Sequence, residues 1–152
     1  MIGIFRRDGL PVGTRDVVLA LWQVADPGNV GTLLRSADAF DAGVALSEGC
    51  ADPLGPKALR ASAGAIFRVP LVDWEALPNA HVALVAHGGV PIAEVPLAPP
   101  LTLLLGSERG SLPDDLAPDC FRATIPLPGR AESLNVGAAG AIALYELSRR
   151  VS

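Results

Sequence analysis

The sequence predicts an α/β protein, a parallel sheet with helices on both faces. Two observations predict it: short apolar runs alternate with stretches of helical periodicity, and the runs are continuously apolar, not alternating apolar and polar. A third concerns punctuation: 16 glycines and 14 prolines fall mainly between these segments, as turns between buried strands require.

The first run, DVVLALWQV (16–24), reads as a strand buried on both faces, closed by the turn signal ADPGN. A helix follows over 29–40, where Val30, Leu33, Leu34, Ala37 and Phe40 recur at helical spacing and Asn29 stands where an N-cap belongs. VALS (44–47) is a second strand, and GPKALRASAG (55–64) a second helix opened by Pro56. IFRVPL (66–71) reads as a third strand, followed by HVALVAH (81–87) and LTLLLG (101–106). Between these last two, GGVPIAEVPLAPP (88–100) reads as a long surface connection. FRATIPL (121–127) is the last strand, and the closing helix runs from about Asn135 to Arg150, its terminal arginines matching the negative end of the dipole.

Composition narrows the function classes. The chain has 152 residues, enough for one domain with a substantial core, and a formal charge of −4, which argues against a strong overall basic field for nucleic acid. Cys50 and Cys120 are too few for a disulfide scaffold and lack metal-site spacing, so no metal is expected and a reducing cytoplasm is the expected location. The opening MIGIFRRDGL lacks the apolar run of a signal peptide, and no segment approaches the roughly 20 apolar residues of a membrane span.

Ligands of open parallel sheets bind outside the carboxyl ends of the strands, so the loops there are where chemistry is sought. In ADPGNVGTLLRSADAF, Pro27-Gly28 turns the chain and Gly31 permits close backbone approach. Asn29 has a cap's place, and Arg35, opposite the apolar stripe, has that of a solvated residue paired with Asp38. In LLLGSERGSLPDDL, Gly106 and Gly110 flank Ser-Glu-Arg, leaving backbone groups able to face a ligand; the spacing fits neither a P-loop nor a dinucleotide fingerprint. In IPLPGRAESLNVGAAGAIALYE, Glu132, Ser133 and Asn135 are more polar groups than the one cap a helix needs, so Ser133 or Asn135 caps and the others are surplus. The helix behind them is rich in glycine and alanine, which suits close packing against another backbone.

In order and spacing, these three loops resemble the three motifs of the SpoU (TrmH) family, RNA ribose 2′-O-methyltransferases of the SPOUT superfamily, over about residues 16–150. The resemblance implies a Rossmann-like sheet with a C-terminal trefoil knot, a homodimer, and S-adenosyl-L-methionine as cofactor, held near Gly106, Ile125 and Leu134. His87 reads as a structural residue from its own position, and as the end of a strand on the ligand side it is also a candidate for lining that pocket. It implies catalytic roles for Arg35, supplied by the partner subunit, with Asn29, Glu108, Ser133 and Asn135. Arg130, Arg109, Lys57 and Arg60 are candidate contacts for an RNA substrate, rRNA before tRNA because GCADPLGPKALRAS looks more like the ribosomal-RNA members. The whole chain, 1–152, is expected to be one catalytic domain, without the separate N-terminal RNA-binding domain that many relatives carry. One departure stands out: Asp41 follows Phe40 where many relatives have glycine. Rival readings are a knotted base methyltransferase and an inactive module that binds RNA or S-adenosylmethionine.

Overall fold

The computed structural model describes residues 5–78, 81–96, 98–107, 112, 113, 116 and 119–151. Six strands form one sheet: β1 (Val17–Leu21), β2 (Gly43–Leu46), β3 (His81–Leu84), β4 (Val90–Pro91), β5 (Leu101–Leu105) and β6 (Phe121–Thr124). Their order is β2-β1-β5-β3-β6-β4, and each neighbouring pair is parallel. Parallel strands cannot be joined by tight hairpins, so the crossovers are α1 (Pro27–Ala39), α2 (Pro56–Ser62) and irregular segments, and α3 (Val136–Val151) closes the chain.

Pleating divides the strand side chains between two cores. Leu19, Leu21, Leu103 and Leu105 join Val30, Leu33 and Leu34 of α1 and Ala143, Leu144 and Leu147 of α3 in the larger one. Val18, Ala20, Ala45, Ala83 and Leu104 face the other way, against Trp74, Leu77, Leu112 and Leu116. Both faces are thus buried, which is why the strand sequences carry no polar alternation.

One glycine sets how closely two helices approach. A Cβ on Gly31 would lie 2.5 Å from the Ala58 carbonyl oxygen and 2.9 Å from the Ser62 amide nitrogen, so the backbones of α1 and α2 touch there. The closing helix differs from expectation: its glycines meet side chains, Gly137 facing Thr32 and Gly140 facing Leu33 and Leu105, instead of a second backbone.

Three further expectations are corrected. Residues 66–71 do not form a strand: Ala63 and Gly64 take left-handed backbone (φ 49° and 81°) and lead into a 3-10 turn at Ala65–Phe67. Only Leu71 bridges, to Val12 and Val44, and Pro70 has no N–H to extend a ladder. The apolar character of the run reflects core filling by Ile66 and Val69. The 88–100 segment is more than a surface connection, since it contains β4 and buries Ile92 and Val95. Arg150 holds it from the end of α3, donating to the Val95 and Ile92 carbonyl oxygens at 2.7 and 2.9 Å, a specific contact beyond the dipole match. Third, Asp26 and not Asn29 caps α1, its Oδ1 accepting the Asn29 N–H at 2.9 Å.

The position of β6 matters most for the site. It lies between β3 and β4, which are joined by residues 85–89 alone, so a late part of the chain fills a slot spanned by an earlier link. Val85 N–H donates to the Ala123 carbonyl at 2.8 Å, and a Cβ on Gly89 would sit 2.8–2.9 Å from the backbone of residues 122–124. Gly89 is where two chain segments cross too closely for a side chain.

Candidate active site

A cavity of about 810 Å³ opens at the carboxyl ends of β3, β5 and β6, bounded on the far side by the residues leading into α3. The crevice rule for parallel sheets places it there. It brings together His87, Gly106, Ile125, Ser133, Leu134 and Asn135 from three separated stretches. Its walls mix apolar side chains, including Leu84, Leu105 and Leu127, with a few polar ones, and its size lies within the range that encloses a nucleoside-sized ligand. Arg122, Thr124 and Ser107 also line it and escaped the sequence reading. Alternation along β6 was the available signal, because Arg122 and Thr124 share one side while Ala123 turns into the core.

A chain of caps connects this cavity to the start of α1. Asn135 Oδ1 accepts from the Gly137 and Ala138 N–H groups at 2.9 and 3.3 Å, so Asn135 rather than Ser133 caps α3. The same amide donates through Nδ2 to Asn29 Oδ1 at 3.0 Å, across 106 positions of sequence. Because Asp26 does the capping of α1, the half-buried Asn29 side chain is left available for this bond. Asp26 is itself held by Lys57 of α2, whose ammonium donates to Oδ2 at 2.8 Å. That hydrogen bond, then the one from the Asn29 backbone, lowers the Asp26 carboxyl below its ordinary value. Three helix starts are thereby coupled through four polar side chains.

The charged candidates are distributed unequally. Arg35 is exposed on the outer side of α1, as expected, but Asp38 is not its partner. Arg68 takes Asp38 through a forked pair, with contacts of 2.6 and 3.1 Å, and its own pKa is raised by that bond. Lys57, a candidate RNA contact, is engaged by Asp26, while Arg60 and Arg130 are exposed. Arg130 does not line the cavity. Glu108 and Arg109 lie outside the described residues.

Asp41, the departure noted above, adopts a left-handed backbone with φ 52°. That conformation favours glycine but is tolerated by aspartate, so the change of residue keeps the turn. Among the described residues no group of three or more His, Cys, Asp or Glu is placed to hold a metal, and no helix is long and apolar enough to cross a membrane. Both cysteines are free, and Cys50 donates its thiol to the Leu21 carbonyl at 3.2 Å.

Comparison with known proteins gives this geometry a setting. Residues 16–145 match the SpoU rRNA Methylase family. The chain is 37% identical over 149 residues to a Bacillus subtilis protein, 23S rRNA (guanosine(2553)-2′-O)-methyltransferase, covering 90% of this chain and 59% of that one. It therefore spans less than two thirds of that relative's length. An AdoMet-bound rRNA methyltransferase from Sinorhizobium meliloti superposes with a TM-score of 0.81 at 33% identity, over 93% of this chain and 59% of that one. A protein whose structure concerns 2-OH methylation of C/U34 on tRNA gives a TM-score of 0.80 at 30% identity, over 89% of this chain and 95% of its own. A match running through every loop that borders the cavity, with relatives this similar over nine tenths of the chain, makes this protein a member of the SpoU rRNA methylase family.

Proposed function

We propose that the chain is the catalytic domain of an S-adenosyl-L-methionine-dependent methyltransferase acting on ribose 2′-hydroxyls of RNA, with rRNA as substrate before tRNA. One observation carries the reading: the Asn29–Asn135 bond joins the first and third motif loops at the edge of a cavity lined by Gly106, Ile125 and Leu134. The relatives named for 2′-O-methylation of 23S rRNA support the substrate class.

The residues present fit the cofactor. The cavity is roomy and lined by apolar side chains such as Leu105, Ile125 and Leu127 together with polar ones such as Ser133 and Asn135, which suits an adenosine with a flexible amino-acid arm. When bound, S-adenosyl-L-methionine supplies an electrophilic methyl group on a sulfonium. The chain's own task is to bring a weak nucleophile, the ribose hydroxyl, into line and to accommodate charge developing on its oxygen. Asn135 is doubly fixed, by capping α3 and by Asn29, so it presents a preorganised edge to an approaching nucleotide beside Ser133. Glu108 supports the second motif loop in this scheme.

Arg35 serves from the partner subunit of a homodimer. A guanidinium is too basic to act as a general base, so its role is to clamp a phosphate and stabilise the developing alkoxide. Its exposed place on α1 leaves it able to reach outward. The slot filled by β6 is the crossing that a trefoil knot needs, and we assign the knot there. Arg60 and Arg130 are the candidate RNA contacts with no acid partner among the described residues; Arg109 would join them, and the expected setting is the cytoplasm.

Incubating the purified protein with S-adenosyl-L-methionine and RNA lacking modifications, then digesting to nucleosides for mass analysis, tests this. The expected product is a 2′-O-methylnucleoside in 23S or 16S rRNA. A base-methylated product, or cofactor binding with no transfer to rRNA or tRNA, would replace the proposal with one of its rivals.

A further inference from the structure

Lys57 is the member of the cap network that its own helix does not call for. It stands in the first turn of α2, where unpaired N–H groups disfavour a cation, yet its ammonium donates to Asp26 Oδ2 at 2.8 Å. Asp26 is thereby held at both oxygens, because Oδ1 accepts the Asn29 N–H at 2.9 Å. From Asn29 the chain of bonds continues to Asn135, which lines the cavity. We infer that Lys57 is a positioning residue for the cofactor site, acting through Asp26 and Asn29 on Asn135, and not an RNA contact; this rests on the cofactor reading proposed above.

The packing of α1 and α2 builds the contact. Gly31 brings the α2 backbone against α1, and from there the Lys57 stem crosses beside Gly28 to reach the carboxylate. A Cβ at Gly28 would lie 2.8 Å from Asp26 Oδ1 and 3.4 Å from Lys57 Cε, so a side chain there would crowd the pair. The start of α1 is thus fixed from α2 on one side and from α3 on the other, with Asn29 in the middle. The two side chains of the pair are 59% and 44% exposed, and an ion pair so open to water adds little to overall stability. Its effect is instead local. The Asn29–Asn135 bond joins two loops of the site, and small displacements of groups that orient reactants cost rate and affinity out of proportion to the stability involved.

The test is a double-mutant cycle on the full chain, read by calorimetric titration with S-adenosylhomocysteine in the absence of RNA. Wild type, Lys57→Met, Asn29→Ala and the double variant are compared, with Lys57→Arg as the conservative variant and thermal melts confirming that each folds. Lys57→Met is expected to weaken the ligand about five-fold in the wild-type background and less than about two-fold beside Asn29→Ala, because a residue acting through Asn29 has nothing to act on once that side chain is gone. Lys57→Arg should restore most of the affinity. An equal loss with and without Asn29, or no loss at all, overturns the assignment. Binding of unmodified rRNA is measured alongside at several salt concentrations. A Lys57→Met variant whose defect is confined to RNA affinity, with a shallower salt dependence, also overturns it and returns Lys57 to a phosphate contact. If wild type does not bind S-adenosylhomocysteine, the cofactor reading of the cavity falls, and this assignment with it.

Discussion

The two ends of the sheet each bear a cavity, and their chemistry differs. At the amino ends of β1 and β5 lies a space of about 620 Å³ walled by Phe40, Pro99, Pro100, Leu144 and Leu147. Its Arg15 and Asp41 satisfy one another, Nε donating to Oδ1 at 3.0 Å, so the pair offers a ligand little. At the carboxyl ends, polar side chains are instead tied to helix starts, Asn135 capping α3 while its amide also reaches Asn29. Parallel strands explain the asymmetry: helix amino ends collect at the carboxyl edge, bringing unpaired N–H groups and small residues, while the opposite edge receives helix carboxyl ends and packing. A cavity's size therefore says less about function than whether its polar groups are already spent on each other.

That contrast is open to breakage from both sides. The largest effect should come from the packing end: Leu144 is 1% exposed, so Leu144→Ala is expected to lose about 3 kcal/mol of stability in urea titration, with specific activity of the folded fraction unchanged. Arg35→Lys should do the opposite, lowering methyl transfer about 100-fold with no shift in the melting temperature, since the exposed side chain packs against nothing in the core. Full activity in that variant would remove the clamp role. Asn135→Ala should straddle the two, losing about 1 kcal/mol of stability as a missing cap and weakening cofactor binding several-fold by releasing Asn29. A purely structural Asn135 would change the first readout and leave the second untouched.

The smallest effect concerns pH. The Asp26 carboxyl is lowered first by the Lys57 hydrogen bond, then by the Asn29 amide. A lowered folded value means that its contribution is fully present above the ordinary value of 3.8 and is lost as pH falls through the folded one. Asp26→Asn should therefore lower the melting temperature slightly at neutral pH, and the gap to wild type should close in the acid limb. A gap independent of pH would mean that the pairing with Lys57 adds nothing.

Much of this was legible in the residues. The continuous apolar runs of β1 and β5 and the helical spacing of Val30, Leu33, Leu34 and Ala37 led to the observed elements, because burial on two faces and on one stripe leave different periods. Gly31 was readable too, since a glycine in a helix needs a neighbour too close for a Cβ. Residues 66–71 were misread because an apolar run records burial without recording backbone shape, and the left-handed Ala63 carries no signature in its side chain. Asn29 looked like a cap because Asp26, Pro27 and Asn29 all suit a helix start, and local propensity does not choose between adjacent candidates. Partnerships across the chain, Asn29 with Asn135, Lys57 with Asp26 and Arg68 with Asp38, are long-range facts to which no spacing rule applies. Arg122 was hidden for the same reason, as its place in the cavity wall depends on which loops surround β6.

The most direct test of the central claim is a crystal structure of the protein grown with S-adenosylhomocysteine. The ligand is expected at the carboxyl ends of β3, β5 and β6, between Gly106 and Leu134, with nothing bound between Arg15 and Leu147 at the other end. Ligand density in that second cavity, or none in either at saturating concentration, would contradict the account.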